Sequence, residues 1–425
     1  MKRYLIFLSI VVIVGCASGP ANTAGGSNDI TVLWMRAPSE RQELLDLIQS
    51  YADDFNAAHE DTTVTIEFVD WADGRDAIEQ RVAEGTPPDL AVVGSRWVAE
   101  FVNQGLIEPL DRYMTPSFRE QFIASLINEG AIYQERTFGL PVAASTRALY
   151  YNLDLFEQAG LSEPPASWDE LLLAGQVIGA LEEDVYGFAL QGGDGLETNT
   201  YFYYFVWGNG GSLYDPSQTS SALDSPESVE ALVFLQELIQ EGATQPDPAS
   251  DAYNRRRALE DLFQQGQVGM VISGPWLLNR LQDESPDMRI GVAPIPFNTT
   301  SATYGVIDTL VMFRTSASKD AAWDFMDFIY TTERRLAYAQ TAGVLPELDA
   351  VAESEELAQD EQYVVFLDLL PEARFEPPNI HSEEISQIVI DAVRSVYLGD
   401  AEPQDALDDA AALIDNLLQD STAGW

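Results

Sequence analysis

One cysteine stands in 425 residues, lysine occurs only at Lys2 and Lys319, and histidine only at His59 and His381. A lone thiol cannot close an internal disulfide. One thiolate and two distant imidazoles are a poor supply of soft ligands for zinc, and they leave a Ser-His-Asp arrangement little raw material. The chain also lacks a Walker loop, an H-E-x-x-H pair, a G-x-S-x-G elbow and any run of alternating acidic ligands resembling a calcium loop. No metal and no cofactor are therefore expected. Positive charge is equally scarce: 22 Lys and Arg face 69 Asp and Glu, for a formal charge of −47. Nucleic acid and anionic membrane surfaces should repel such a body. The acidity reads as a well-solvated surface suited to saline surroundings, where screening shortens the range of self-repulsion. Equal stability with and without added salt would remove that reading.

Cys16 lies inside IVVIVGCASGPANTAGGSND, residues 10–29. Lys2 and Arg3 give a positive start, and Tyr4 to Val14 form an apolar run of signal-segment length. It is too short to span a bilayer, which needs roughly 20 apolar residues. Ile13-Val14-Gly15 before the thiol resemble the lipobox of bacterial lipoproteins, in which the Cys is acylated and becomes the first mature residue; Ile13 and Val14 replace the commoner Leu and Ala. An ordinary secretory signal with an incidental Cys is the plainer alternative. Residues 17–28 are rich in Gly, Ser, Ala and Asn, the composition of a flexible coil. The expected layout is a signal segment at 1–15 and a tether at 16–28, in an exported chain anchored by lipid at Cys16 and facing the periplasm or cell exterior. Without Lys2 and Arg3 the charge becomes 20 minus 69, or −49.

The remaining roughly 410 residues exceed what one core usually supports, so two domains are expected. DITVLWM (29–35) reads as a strand, and 40–59 sets Leu44, Ile48, Tyr51 and Phe55 on one helical face. TVTIEFVD (63–70), a helix over 76–84 and PDLAVVG (88–94) follow. Strands alternating with helices imply an α/β fold with a largely parallel sheet covered on both faces. From 145 onward helices dominate, one opened by a capping box of Ser167 and Glu170. Strand patterns return at VGMVIS (268–273), IGVAPI (290–295) and TLVMF (309–313), and 403–419 carries a stripe of Leu407, Ala411, Ile414 and Leu418.

Three stretches together resemble the extracellular solute-binding proteins of ABC sugar importers, the group that includes maltose-binding protein. They are EGTPPDLAVVGSRWVAEFVNQGLIEPLD (84–111), FGLPVAASTRALYYNLDLFEQAGLSEPPASWDELL (138–172) and FQQGQVGMVISGPW (263–276), with TAGVLPELDAV (341–351) a weaker fourth. The resemblance covers nearly all of 29–420. It implies a two-lobed, hinged, type II periplasmic-binding-protein-like fold with ligand in the inter-lobe cleft. The chain would pass between lobes near Val142 to Thr146, Asn298 to Tyr304 and Gly343 to Pro346. The lobes would then comprise 29–144 plus 302–345 and 145–301 plus 346–425. Gly or Pro lies at or near each passage, and hinges need only a few residues that absorb φ/ψ change.

A sugar presents hydroxyls that demand hydrogen bonds and C–H faces that pack on aromatic rings. The resemblance offers Trp71, Ser95, Arg96 and Arg36 from the first lobe, with Trp97 as a further candidate. It adds Ser145 and Arg147 at the first passage, Trp276 in the GPW element, and Tyr203 and Trp207 on YFYYFVWGNGG (201–211). Ser95 and Arg96 also follow the carboxyl end of a strand, where open α/β sheets bind ligands. Each has a bland alternative: rim packing for Trp71, core packing for Trp97, Tyr203 and Trp207, ion pairing for Arg36 and Arg147. The stretch TYGVIDTLVMF (303–313) departs from the family, since Ile307 and Asp308 fill the second Gly and the Trp of a Gly-Gly-Trp turn. Asp308 could accept two neighbouring hydroxyls or neutralise Arg374, itself a candidate contact placed where some members use an arginine. The Arg255-Arg256-Arg257 triple reads as helix-surface ion pairing with Glu260 and Asp261.

The expectation is a monomeric, non-enzymatic sugar receptor that delivers its ligand to an ABC permease. A binder of polyol or glycerol-3-phosphate, an exported carbohydrate-active hydrolase using two carboxylates, and a surface adhesin are the alternatives.

Overall fold

The computed structural model describes residues 28–37, 40–195 and 197–422, with only the backbone of 420–422. Cys16 and the signal segment lie outside the described residues, as does the tether apart from Asn28, which opens the first strand. Nine strands build two sheets: β1 (Asn28–Arg36), β2 (Thr62–Asp70), β3 (Leu90–Gly94), β4 (Gly139–Ser145), β5 (Ala148–Asn152), β6 (Tyr186–Ala189), β7 (Val268–Ser273), β8 (Ile290–Ala293) and β9 (Val306–Met312).

The first sheet runs β2-β1-β3-β9-β4. β1 is parallel to β2 and β3, whereas β9 is antiparallel to both its neighbours, so β4 points the same way as β3. A largely parallel sheet is therefore the outcome, with one reversed strand arriving from far along the chain. The helix Gln42–Ala58 seals one face through buried Leu44, Ile48, Tyr51 and Phe55, the stripe its 3.6-residue spacing predicts. Leu33, Ala91 and Val93 point to the other face, where Ile78, Trp97, Val98 and Phe101 form a smaller core.

The second sheet runs β8-β5-β7-β6, with only β6 and β7 parallel. The helix Trp168–Gly179 starts with the first half of its capping box, Ser167 Oγ accepting from the Glu170 backbone N–H at 3.3 Å, while Glu170 reaches one residue further back to accept from Ala166 N–H at 2.8 Å. This helix reaches β6 through two glycines. A Cβ on Gly187 would lie 2.1 Å from the Gly175 Cα, so neither position has room for a side chain. Three long helices, Pro226–Gln240, Ser382–Tyr397 and Pro403–Thr422, pack with the aromatic helix Glu197–Gly208 on this side. The last of them buries Leu407, Ala411, Ile414 and Leu418.

Two lobes thus form, and the strand-to-strand passages lie side by side. β4 runs into β5 through Thr146 and Arg147, whose backbone N–H donates to Thr303 Oγ1 at 2.8 Å. Thr303 Oγ1 donates in turn to the Arg147 carbonyl at 2.7 Å, tying this passage to the one that leads into β9. Ala144 pairs with Leu345 through backbone bonds of 3.1 and 2.8 Å. Beyond Leu345 the chain stays with first-sheet neighbours: Ile123 N–H donates to the Glu347 carbonyl at 2.9 Å and Asp349 N–H to that of Gln121 at 3.0 Å. The chain returns to the second sheet with the helix Glu361–Asp368, which packs on β8.

Candidate functional site

The carboxyl ends of β1, β2, β3 and β4 share one edge of the first sheet and deliver Arg36, Trp71, Ser95, Arg96 and Ser145 there. Asp308 joins them because β9 runs the other way: it registers with Gly94 at the end of β3 and with Ala143 on β4. The register shifts between Asp308 and Thr309, a bulge at the rim of the sheet. Ile307 and Thr309 pack toward Gly130, on which a Cβ would lie 2.4 Å from Ile307 Cγ2 and whose carbonyl accepts from Thr309 Oγ1 at 2.8 Å. Asp308, between them, points to the opposite side of the strand.

The second lobe supplies the facing wall. Trp276 opens the helix Trp276–Glu284 just after β7, and its ring lies back over Gly274, where a Cβ would meet ring carbons at 2.2 Å. Glu260 Oε1 accepts from the indole N–H at 3.1 Å and from Ser273 Oγ at 2.6 Å, while Glu260 Oε2 pairs with Arg280 at 2.9 Å. The guanidiniums of Arg256 and Arg147 sit over the indole at 4.3 and 4.8 Å from its centroid, within cation–π range. Arg256 also pairs with Glu197 at 3.2 Å.

Tyr203 and Trp207 are buried four residues apart on Glu197–Gly208 and flank Tyr304. The Tyr304 ring lies nearly parallel to both, with centroid separations of 6.5 and 5.5 Å. The Tyr304 hydroxyl donates to Glu376. Burial raises the Tyr304 hydroxyl well above its ordinary range, and Glu376 beside it acts in the same sense; burial also raises Glu376, against the pull of Arg96. Burial alone would lower Arg96, but the acidic groups around it, Glu376 and Glu383 among them, raise it above its ordinary value.

Asp308 is the most perturbed carboxyl at the first-lobe edge. Burial pushes it up to about 7, against the opposing influence of Arg147, Arg96 and Arg256 and with a small reinforcement from Glu40. It makes no ion pair with Arg374: that side chain is exposed on a two-residue strand beside Tyr304, and Glu376, two residues on, is the one that enters the site. Arg36 is engaged by Asp70, its register partner on β2, at 3.1 Å. Trp71 is half-buried with its ring 6.1 Å from that of Trp97, and Trp97 is buried in the smaller first-lobe core. Ser145 accepts from Arg147 Nη1 at 2.8 Å.

Arg256, Glu260, Tyr304 and Glu376 are absent from the sequence-derived site. Arg256 does pair with Glu260, at 3.6 Å and i,i+4, but on the inner face of its helix rather than at a solvated surface; Arg257 with Asp261, at 2.9 Å, is the surface pair. The signal was present: Arg256, Leu259, Glu260 and Phe263 share one stripe, and the last three are buried.

An edge of strand ends facing an aromatic wall across two lobes is the architecture of a solute-binding protein. The profile of the bacterial extracellular solute-binding protein family matches residues 39–335, and the chain belongs to that family. It is 40% identical over 367 residues to a putative binding protein of Brucella abortus (strain 2308), covering 86% of this chain and 88% of that one. The maltotriose-binding protein of Pyrococcus abyssi is 28% identical over 79% of this chain and 70% of its own length. Among solved structures, an ABC transporter solute-binding protein of Thermotoga lettingae bound with α-D-tagatose superposes with a TM-score of 0.82 at 26% identity, over 92% of this chain and all (100%) of that one.

Proposed function

We propose that the chain is the substrate-binding component of an ABC importer. It captures a neutral carbohydrate between its lobes and presents the closed form to the permease, without a chemical step. The observation that carries the reading is a matched pair of unsatisfied groups. Arg147 is buried at 4% exposure, and its Nε has no hydrogen-bond partner. The Asp308 carboxylate makes no hydrogen bond or ion pair among the described residues, yet the Arg147 guanidinium is the strongest charge acting on it. A buried donor left open in this way costs stability unless something fills it, and the half-buried Asp308 carboxylate has free valences for a hydroxyl. A sugar hydroxyl can accept from Arg147 and a neighbouring one can donate to Asp308, while a C–H face packs on Trp276. The sugars in the names of the Pyrococcus and Thermotoga proteins support this class.

A phosphate or carboxylate ligand is disfavoured because Asp308, Glu376, Glu197 and Glu40 already populate the walls. Arg374, on which a glycerol-3-phosphate reading would depend, stands exposed. The proposed lobes are 29–144 plus 302–352 and 145–301 plus 361–425; the backbone bonds of Glu347 and Asp349 to Ile123 and Gln121 support a third passage at 353–360 rather than at the expected 343–346. Ligand contacts on both lobes favour the closed state, and only that differential affinity can drive closure. Acylation at Cys16 is proposed as the anchor on the outer side of the membrane.

A thermal-shift screen over mono-, di- and trisaccharides, polyols and sugar phosphates tests this. A ligand at 100 times its Kd adds about 2.7 kcal/mol of stability. Response to sugar phosphates alone, or release of reducing ends from an oligosaccharide by the pure protein, would replace the proposal.

A further inference from the structure

The two lobes touch directly where the start of the helix Ser382–Tyr397 meets Arg75, Arg96 and Trp97, and the contact has a definite chemistry. Glu383 lies in the first turn of the helix Ser382–Tyr397, which packs on Glu197–Gly208, Pro226–Gln240 and Pro403–Thr422 and so belongs to the second lobe. Its carboxylate enters a socket formed wholly by the first lobe. Trp97 Nε1 donates to Glu383 Oε1 at 3.0 Å, Arg75 Nη1 stands 3.5 Å from the same oxygen, and Arg96 Nε stands 3.7 Å from it. Arg75 is oriented from behind by Glu79 at 3.0 Å and Glu100 at 2.6 Å, and its Nη1 is buried with no other partner.

This arrangement is selective in a chain of charge −47. Bringing two acidic lobes together is opposed by their mutual repulsion, so a carboxylate that finds two guanidiniums and an indole N–H in the partner lobe turns a repulsive approach into an attractive one at that spot. Trp97 is otherwise a core residue, packed on Trp71 and Phe101 with centroids at 6.1 and 6.4 Å. Its polar edge reaches the other lobe. Arg96 connects the socket to the site, because it stands 3.7 Å from Glu383 and also lies within electrostatic reach of Tyr304, Glu376 and Asp308.

We infer that Glu383 is a positioning residue for ligand capture: keyed into the Arg75-Trp97-Arg96 socket, it latches the lobes closed and holds Arg96 toward the cleft without itself contacting the sugar. The inference rests on the proposed closure. A contact that exists only in the closed state slows ligand escape and leaves encounter with the open state unchanged, so its loss appears in koff rather than kon.

The test is single-molecule energy transfer on the full chain carrying Cys16→Ser, with dyes on Asn103→Cys in the first lobe and Asp184→Cys in the second. Distributions are recorded without sugar and across titrations of maltotriose and D-tagatose. Glu383→Gln is expected to shift the closed-to-open ratio about tenfold toward open at every sugar concentration, zero included. Glu383→Asp should recover part of the shift, and Trp97→Phe should add little in a Glu383→Ala background, which leaves the indole N–H no acceptor there. An unchanged melting temperature and circular dichroism spectrum separate this from unfolding. Superimposable wild-type and Glu383→Gln distributions, or a wild type with no closed population, would overturn the latch. If neither sugar moves the wild type while Glu383→Gln still opens it, the latch stands and the carbohydrate reading loses its support.

Discussion

The indole of Trp276 is held from its edge by Glu260, which accepts its N–H at 3.1 Å while also pairing with Arg280 at 2.9 Å. The ring's orientation is thus set by a carboxylate that is itself neutralised. A flat apolar platform with a fixed tilt costs little conformational entropy when a sugar stacks on it. Trp276→Ala is expected to remove most of the sugar-dependent thermal shift, a loss of at least tenfold in affinity. A variant that responds as the parent does would move the cleft elsewhere.

The arginine triple separates into three roles that mutation can distinguish. Arg255 is exposed, Arg257 pairs with Asp261 at 2.9 Å, and Arg256 alone lies over Trp276 and against Glu197. Arg255→Ala should leave sugar affinity unchanged, and Arg257→Ala should cost no more than about 0.5 kcal/mol of stability, the worth of an exposed i,i+4 pair. Arg256→Ala should weaken sugar binding by about tenfold or more in titration calorimetry. Equal effects from all three would return the triple to the helix surface.

Asp308 gives the fold a pH dependence of definite sign. Its carboxyl titrates near 3.8 when solvated and about 7 in the folded chain, so the folded state binds this proton more tightly than the unfolded one. Below about pH 4 both states are protonated and the group costs nothing; across the window to about pH 7 the cost of burying its charge grows, and above that it is complete. Asp308→Asn should therefore match the wild type near pH 4 and exceed it near pH 8, by at most about 1.4 kcal/mol for each pKa unit. Urea unfolding at the two pH values checks this, since other buried carboxyls cancel in the difference. Parallel stability curves would mean that the Asp308 carboxylate remains hydrated.

Much of this was legible in the sequence, and the remainder was hidden for identifiable reasons. The stripe of Leu44, Ile48, Tyr51 and Phe55 and the run VGMVIS at 268–273 report burial directly, because periodicity and apolar content are local properties. Trp276 was named from the resemblance of the GPW element, in which Gly274 and Pro275 precede it. Tyr304, Glu376 and Glu383 were not, being single polar residues in or next to irregular segments whose partners lie 72 to 286 positions away. Arg256 misled for another reason. Its i,i+4 partner Glu260 is real, but the spacing says nothing of Trp276, Ser273 and Arg280, which make Glu260 an interior residue. Arg374 was favoured over Glu376 by resemblance, and the two-residue strand that exposes the first while the second enters the site has no sequence pattern.

Beside the first passage lies a buried ion pair whose energetics can be argued in full. Arg335 is 0% and Glu347 1% exposed; Arg335 Nε donates to Glu347 Oε1 at 2.5 Å, and Nη2 donates to the Val142 carbonyl on β4. Tyr338 and Tyr330 present their rings to the guanidinium at 4.4 and 5.4 Å. Desolvating two charges offsets most of their attraction, so the pair as a whole contributes little to stability, whereas removing one partner strands the other. Glu347→Ala should cost about 3–5 kcal/mol in urea unfolding. The double variant Arg335→Met with Glu347→Leu should fall close to the wild type or above it, because no charge is left buried. Its effect on sugar binding is informative for the same reason: Val142 lies three residues before Ser145 and five before Arg147. If the pair serves chiefly to align that strand, the double variant will keep its stability yet lose the thermal response to sugar. If both are kept, shape alone aligns the strand and the charges are dispensable.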